Sequence, residues 1–216
     1  DMGFSIQIEK IIKFLPKIRQ TLLFSATLPK NIKEISQKYL HKPIKISVDE
    51  NKKLLTKIKH QVINLEKSEK YSRLLSQINE REGSILVFIK TKHNAKRMAI
   101  KLNKDGFSAS AIHGDLKQNQ REIVLNKFRK KKYKILVATD IAARGLDISH
   151  IEHVINYDLP QKPEDYIHRI GRTARAGLKG EAICFVTAND KKLWNSIDKL
   201  INPNFKNSDL ENKKNL

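Results

Sequence analysis

The stretch Ile85-Leu86-Val87-Phe88-Ile89 decides the fold, because five consecutive apolar residues leave no polar side for solvent. A strand that is buried on one face alternates apolar and polar residues, so an unbroken apolar run predicts a strand buried on both faces. Strands of that kind belong mainly to parallel sheets that are covered by helices on both sides.

Outward from this run, short apolar stretches alternate with segments whose apolar residues lie three and four positions apart, as in Ala95, Met98, Ala99 and Leu102. The spacing of three and four predicts helices between the strands. Strand–helix alternation is typical of an α/β fold with a parallel, doubly wound sheet and helices on both faces. The predicted strands are residues 20–24, 44–48, 58–65, 84–89, 108–112, 134–138, 153–157 and 181–186.

A polar stretch at residues 49–57 interrupts this alternation and is predicted to be a linker. Residues 58–201 carry six predicted strands and five predicted helices, enough for a complete domain. Residues 1–48 carry two of each, and two strands cannot cover the faces of an open sheet, so we expect the end of a larger domain there. The polar residues 202–216 are predicted to be a disordered tail.

The charge is strongly positive, since 43 Lys and Arg stand against 23 Asp and Glu for a net charge of +20 in 216 residues. Such a surplus favours a polyanionic partner, because neutralised phosphates release counterions. Two plainer explanations remain open at this point. Lys, Asn and Ile are also the residues that A/T-rich codons supply, and the basic run 127–134 also fits a solvated helix end.

Two features limit the class of protein. No apolar run approaches the roughly 18 residues that a membrane span needs. The only cysteine is Cys184, which excludes an internal disulfide and a zinc site with several cysteines. We therefore expect a soluble protein of a reducing compartment, and we expect it to be cytoplasmic.

The segment 139–148 (Thr-Asp-Ile-Ala-Ala-Arg-Gly-Leu-Asp-Ile) follows directly on the apolar strand 134–138. It places a threonine, two aspartates and an arginine in one loop, and helix capping would explain only one of them. Open α/β sheets bind ligands beyond the carboxyl ends of their strands. This loop is therefore predicted to belong to a functional site.

The segment 168–177 (His-Arg-Ile-Gly-Arg-Thr-Ala-Arg-Ala-Gly) is the second concentration of polar residues. His168, Arg172 and Arg175 are spaced by four and by three, so a helical turn would place them on one side. Planar guanidinium groups match phosphate oxygens, and two of them suit a triphosphate as arginine fingers. A basic surface turn without a ligand is the alternative that this segment alone leaves open.

Three further motifs complete the set: Ser-Ala-Thr at 25–27, Leu-Val-Phe-Ile-Lys-Thr at 86–91, and His-Gly-Asp at 113–115 with Gln118 and Arg121 after it. In order and spacing, all five closely resemble motifs III to VI of the DEAD-box family of ATP-dependent RNA helicases. The segment Asp-Met-Gly-Phe at 1–4 resembles the stretch after that family's Asp-Glu-Ala-Asp motif. Ala174 stands where many members have glycine. We expect Ala174 to be helical, which would preserve the geometry of the two arginines.

The resemblance implies a RecA-like domain preceded by a fragment of a second RecA-like domain, and it assigns roles residue by residue. The implied catalytic residues are Arg172 and Arg175, which would also bind ATP together with Asp147. The implied RNA-binding residues are Thr91, Gln118, Arg121 and Thr139. The residues implied to couple the nucleotide state to domain closure are Ser25, Thr27, Asp140, Arg144 and His168.

The sequence contains neither a Gly-x-x-x-x-Gly-Lys-Ser/Thr phosphate loop nor Asp-Glu-Ala-Asp. The resemblance implies ATP as the cofactor, with Mg²⁺ held by the missing first domain and no metal site in this chain. The resemblance implies the C-terminal part of a helicase that unwinds or remodels RNA by ATP-driven closure of two RecA-like domains. Its partners would be RNA and the N-terminal RecA-like domain, in cis or in trans, and no membrane. We expect no ATPase activity from this chain unaided. The alternative is a non-catalytic helicase remnant that binds RNA or protein.

Overall fold

The computed structural model describes residues 4–25, 30–46, 58–145, 148, 151–174 and 179–202. The chain divides into two compact units, Asp1–Val48 and Asp49–Leu216. The predicted linker 49–57 and residues 203–216 of the predicted tail lie outside the described residues. Each unit is considered by itself.

The first unit contains two described helices, α1 (Ser5–Lys13) and α2 (Lys30–Tyr39). An ion pair between Lys38 and Glu9 joins them, with 2.5 Å between Nζ and Oε1. Both side chains are largely exposed, so this pair contributes little to stability. The helices that the apolar spacing predicts in residues 1–48 are confirmed.

The two strands predicted in this unit are not formed where the structure describes their residues. Residues 20–24 and 44–46 have no strand conformation, and residues 47 and 48 lie outside the described ranges. An apolar run predicts burial, but a strand also needs a neighbour for its N–H and C=O groups. Among the described residues of this unit there is no such neighbour, and Phe24 and Ile46 are 89% and 85% exposed. The prediction was wrong because it assumed a sheet around these residues.

The second unit is built on a six-stranded parallel sheet in the order β1-β6-β5-β2-β4-β3, which confirms the predicted fold class. The four-residue β2 is completely buried between β4 and β5, where Leu86 lies in register with Leu136 and Val154. The strands are β1 (Ile58–Asn64), β2 (Ile85–Phe88), β3 (Ala109–Ile112), β4 (Ile135–Ala138), β5 (His153–Asn156) and β6 (Gly180–Val186).

Helices cover both faces of the sheet. They are α3 (Lys70–Asn79), α4 (Lys92–Lys104), α5 (Gln118–Arg129), α6 (Asp140–Ala143), α7 (Pro163–Ile170) and α8 (Lys191–Ile201), with 3₁₀ turns at Lys67–Glu69 and Ala188–Asp190. Six helices are thus described in this region, where five were predicted. No helix in the described ranges combines the length and apolarity that a bilayer span demands.

The strands send alternate side chains to opposite faces, so one apolar run serves two cores. Ile85 and Val87 of β2 pack with α3 and α4 on one face. Leu86 and Phe88 pack with α5 and α6 on the other. Towards β6 and β1, this second face packs against α7 and α8 through a third cluster that includes Cys184.

The loops that follow β2, β3, β4 and β5 all leave the sheet at the carboxyl ends of their strands, because every strand runs in the same direction. We call this edge the strand-end face and define it by residues 89–91, 113–115, 139–145 and 157–160. It gathers the polar motifs that are separate in the sequence.

Candidate functional site

A buried arginine stands at the centre of the strand-end face. Arg169, in the last turn of α7, is 2% exposed. Its Nε and Nη2 donate to the two carboxylate oxygens of Asp140 at 2.6 and 2.8 Å. Its Nη1 donates to Asn156 Oδ1 at 3.0 Å and to the carbonyl of Asp158 at 2.6 Å. Its guanidinium also lies 4.7 Å from the centroid of the Phe88 ring. One side chain therefore connects α7, α6, β5 and β2.

This contact network is the reason that a full charge can be buried here. Removing a guanidinium from water costs several kcal/mol unless opposite charge and hydrogen bonds replace the lost solvent. The bidentate Asp140 carboxylate supplies both, and two further acceptors complete the shell. Asp140 was assigned to coupling between domains, and its carboxylate makes this bond within its own domain.

The segment 139–145, which contains α6, is tied to α7 a second time through the residue after α6. Arg144 Nη2 donates to Asp165 Oδ1 at 2.7 Å, and Asp165 lies in the first turn of α7. A carboxylate is favourable there because the amino end of a helix carries partial positive charge. The two ion pairs, Arg144 with Asp165 and Arg169 with Asp140, fix loop 139–145 against α7 from both ends.

One small pocket brings together four of the residues that were predicted from separate motifs: Asp140, Arg144, His168 and Arg172. Phe88, Ala143, Asp165 and Arg169 complete its walls. Burial lowers the pKa of His168, and the Arg144 and Arg172 charges reinforce the effect while Asp165 opposes it. His168 is therefore neutral at physiological pH, with one ring nitrogen available as an acceptor.

Arg172 lies beyond the end of the helix and not within it. The helix ends at Ile170, and the Arg172 N–H bonds to the carbonyl of Arg169 at 3.1 Å in a turn. The side chain of Thr173 is completely buried, and its hydroxyl lies 2.7 Å from the Ile151 carbonyl and 3.0 Å from that of Glu152. These contacts hold the chain against the start of β5 and away from the helix axis.

The expectation that Ala174 is helical was wrong. Ala174 has a φ of +53° and is 5% exposed. This is the left-handed region, where a Cβ costs roughly 1–2 kcal/mol. The backbone of Gly180 packs directly against Thr173, since a Cβ built on Gly180 would lie 2.2 Å from Thr173 Oγ1. The turn that carries Arg172 is thus packed against the sheet without spare room.

The residues assigned to RNA also lie along this face. Thr91 and Thr139 follow the neighbouring strands β2 and β4, and each is the N-cap residue of the next helix. The Thr91 hydroxyl accepts the N–H of Asn94 at 3.2 Å, which leaves its own proton to donate. Thr139 is buried and Thr91 is exposed.

The other two RNA candidates lie in α5, which follows β3. Gln118, the first residue of α5, donates to Glu122 and is exposed. Arg121 is half-buried, and its Nη2 donates to the Ala142 carbonyl at 3.1 Å. Arg121 therefore connects its own motif to the loop that Arg169 holds.

Not every predicted site residue can be placed. Thr27, Asp147 and Arg175 lie outside the described residues. Ser25 is described as an exposed residue of the first unit. Within the described ranges, no group of three or more His, Cys, Asp or Glu side chains is arranged to hold a metal ion.

Sequence reasoning missed two residues that organise the site, Arg169 and Lys70. Lys70 Nζ donates to Asp158 Oδ1 at 2.6 Å, and the other oxygen of Asp158 accepts the N–H of Lys90 at 3.0 Å. This contact positions the segment that ends in Thr91. Nothing in the sequence around Asp158 indicated a lysine 88 residues away.

Comparison with known proteins gives the geometry a context. Residues 66–177 match the family described as helicase conserved C-terminal domain. The solved C-terminal domain of the DEAD-box protein Dbp5 is 36% identical, with a TM-score of 0.62, and the match covers 66% of this chain and 84% of that one. The chain belongs to the DEAD-box helicase family.

Comparisons with longer proteins agree with this assignment. This DEAD-box chain is 43% identical to the ATP-dependent RNA helicase DBP2 of Candida albicans, over 93% of its own length and 37% of that protein. It is 44% identical to the ATP-dependent RNA helicase DbpA of Bacillus subtilis, over 93% and 42%. S. cerevisiae Dbp5 bound to RNA and ADP BeF3 superposes with a TM-score of 0.84 at 33% identity, over 93% and 54%. The chain thus spans less than half the length of these two curated relatives, and it corresponds to the C-terminal helicase domain.

Proposed function

We propose that this chain is the C-terminal part of an ATP-dependent RNA helicase, which unwinds or remodels RNA when ATP drives two RecA-like domains together. In this proposal residues 1–48 end the first domain, 49–57 form the linker, 58–201 form the second domain, and 202–216 are a disordered tail. The observation that carries the proposal is the convergence of Asp140, Arg144, His168 and Arg172 in one pocket on the strand-end face.

The nucleotide is proposed to meet this pocket through its phosphates. Arg172 lines the pocket, and it is the residue assigned to a phosphate, with Arg175 three positions further along the chain. Guanidinium donors suit that role because their planar N–H groups match phosphate oxygens. Asp147 would accept hydrogen bonds from the ribose. Bound ATP supplies the phosphoryl group that is hydrolysed, and the first domain would hold its Mg²⁺.

RNA is proposed to lie along the same face on Thr91, Gln118, Arg121 and Thr139. Hydroxyl, amide and guanidinium donors reach phosphates and sugars without reading a base, which gives binding without sequence preference. One of the five N–H donors of Arg121 bonds to the carbonyl of Ala142, and the proposal assigns the others to a ligand. Its bond to Ala142 also supports the proposed coupling. A movement of RNA that displaced Arg121 would also displace loop 139–145, which Arg169 holds through Asp140.

Coupling between the domains is assigned to Ser25 and Thr27 on one side and to Asp140, Arg144 and His168 on the other. Two ion pairs join loop 139–145 to α7, and this supports the proposal that the loop and the helix move together. Closure is favoured only if ATP and RNA bind the closed arrangement better than the open one. A cytoplasmic location is part of the proposal, and the single buried thiol, Cys184, is compatible with a reducing compartment.

The test is complementation. The chain alone, the separate first domain of a DEAD-box protein, and their mixture are assayed for RNA-stimulated phosphate release. We expect release only from the mixture, and we expect Arg172→Ala to reduce its rate by a factor on the order of 10³. Arg73→Ala, an exposed arginine of α3, is the matched control and should leave the rate unchanged.

Two outcomes would contradict the proposal in different ways. Phosphate release by the chain alone, abolished by Arg172→Ala, would show that the missing domain is not needed. RNA binding by the chain without any release from the mixture would favour a non-catalytic remnant.

A further inference from the structure

A second concave surface lies away from the pocket that holds Arg172, between α3 and α4. It has a volume of about 570 Å³ and is open to solvent. We call it the α3–α4 groove. Its charged lining residues are Lys67, Lys70, Arg97, Lys101, Lys104 and Asp158. Five cations thus face one acid in a concavity that none of the proposed site residues lines.

The groove arises from the way the two helices reach the sheet. Both pack on the same face, α3 through Leu74 and Ile78 and α4 through Ala95 and Ala99. The two alanines let α4 lie close to the strands, while long side chains rise from the outer flanks of both helices. Ile89 and Tyr157, which follow β2 and β5, bound the groove towards the strand-end face.

Its charges are only partly compensated. Lys70 pairs with Asp158, and Lys101 Nζ lies 3.3 Å from the centroid of the Tyr71 ring. Within the described part of the chain, Lys67, Arg97 and Lys104 make no ion pair and no side-chain hydrogen bond. A concave wall with one sign of charge concentrates the field and attracts anions.

The arrangement of the cations fits a chain of phosphates better than one small anion. Arg97, Lys101 and Lys104 follow one stripe of α4 at spacings of four and three. The stripe is about 10 Å long at a rise of about 1.5 Å per residue. Lysines already cover the faces of both aromatic rings in the groove, Lys101 over Tyr71 and Lys70 over Tyr157. The groove therefore offers charge to a backbone more readily than it offers an aromatic face to a base.

We infer that the α3–α4 groove holds the phosphate backbone of a single RNA strand that continues beyond the strand-end face. The inference rests on the proposed RNA-binding function and extends its path. Two contacts make the surfaces continuous: Asn94, which lines the groove, donates its N–H to Thr91, and Asp158 accepts the N–H of Lys90. This continuity favours RNA over an acidic protein segment.

The experiment compares two labelled oligouridylates, one of about 6 nucleotides and one of about 12, in the size range of known single-strand sites. Binding to the chain is measured by fluorescence anisotropy across a series of salt concentrations. We expect the longer RNA to bind the wild-type chain more tightly and with a steeper salt dependence. The double variant Arg97→Gln/Lys104→Gln should lower the salt slope for the longer RNA by about 1.4, since each single-strand phosphate contact contributes about 0.7.

The shorter RNA should bind this variant as it binds the wild type. The matched control is Lys130→Gln/Lys132→Gln, which removes the same charge from exposed positions after α5. That control should keep the difference between the two RNAs. Circular dichroism and the thermal midpoint establish that both variants fold, and all four positions are exposed.

Each remaining outcome overturns the inference. If the groove variant bound both RNAs more weakly by the same factor, Arg97 and Lys104 would contribute only to the overall electrostatic field of the protein. No weakening of either RNA, with loss of binding to a polyglutamate peptide, would assign the groove to an acidic protein segment. A longer RNA that binds no better than the shorter one would exclude the groove and leave the strand-end site standing. Failure of both RNAs to bind the wild-type chain would contradict the proposed function itself.

Discussion

Arg169 places a full positive charge in the interior of the second unit, where Asp140, Asn156 and the Asp158 carbonyl receive it. Its burial could not be predicted from sequence, because the pairing joins residues 29 positions apart. The spacing of His168 and Arg172 drew attention to those two residues, but Arg169 lines the same pocket and makes the buried network. The second difference from expectation is Ala174, which follows the buried Thr173 and has a positive φ.

Truncation of the buried charge centre is the first prediction. Arg169→Ala should lower the free energy of unfolding by about 3 kcal/mol or more, because Asp140 loses its bidentate partner and the ring of Phe88 loses its cover. Urea denaturation measures the change. Arg73→Ala, on the exposed side of α3, should change the free energy of unfolding by less than about 0.5 kcal/mol. An equal, small effect of both substitutions would show that the Arg169 network does not stabilise the fold.

Relief of backbone strain is the second prediction at this scale. Ala174→Gly should raise the free energy of unfolding by about 0.5–1 kcal/mol, since glycine adopts φ of +53° without a Cβ clash. The thermal midpoint should rise accordingly. Ala99→Gly, the same substitution inside α4, should instead lose about 1 kcal/mol. Destabilisation at both positions would contradict the left-handed conformation of Ala174.

Among the elements, α7 carries most of the contacts that organise the strand-end face. Pro163 and Asp165 begin it and His168 and Arg169 end it, the polarity that the helix dipole favours. Tyr166, in the middle of the helix, lies 3.2 Å from Nδ1 of His60 on β1. Two half-buried histidines are thus associated with this helix: His168 belongs to it, and His60 contacts it through Tyr166.

These histidines predict that the second unit loses stability in mild acid. Burial lowers the pKa of both His60 and His168, so the unfolded chain takes up protons more readily than the folded one. The free energy of unfolding should therefore fall as the pH drops below about 6.5. Denaturant titrations between about pH 7 and pH 5 measure the slope, which His60→Gln/His168→Gln should reduce.

Carboxylates act in a different window and provide the internal comparison. Burial of Glu181 opposes ionisation, but the hydrogen bond and the charge of Arg81 lower its pKa overall. Its contribution is present at neutral pH and is lost only in stronger acid, below about pH 4. An unchanged slope between pH 7 and 5 in the double histidine variant would refute the role given to the histidines.

The same elements show what a single sequence can and cannot establish. The apolar run around Val87 became β2 because the second unit supplies partner strands on both sides. The run at 20–24, in which three of five residues are apolar, did not become a strand, because an apolar pattern indicates burial but does not provide the neighbouring strands that pairing requires. The candidate pocket could be predicted in part, since parallel strands bring their ends together whatever the details of packing.

On the scale of the whole molecule, the two units differ in how completely they bury apolar side chains. All three hydrophobic clusters lie between Ile58 and Ile201. In the first unit Phe14, Ile18 and Ile44 are each at least 90% exposed. Exposed apolar surface of this kind favours association between molecules.

The fourth prediction follows from that contrast. A chain of residues 58–202 should unfold in one cooperative transition with the same thermal midpoint as the full chain, because it keeps every buried cluster. It should also scatter less light at high concentration. Loss of the cooperative transition on truncation would contradict the assignment of 58–201 as a complete domain.

The contact between Gly180 and Thr173 constrains how this protein can have changed over time. A methyl group at position 180 would lie 2.2 Å from the hydroxyl that anchors the arginine-bearing turn and 2.7 Å from the backbone nitrogen of Ala174, so loss of that hydroxyl would not make room for it. Any homologue that has gained a side chain at the start of β6 must therefore have moved the turn itself. Inheritance should show glycine kept at this position wherever the arginine-bearing turn keeps its place.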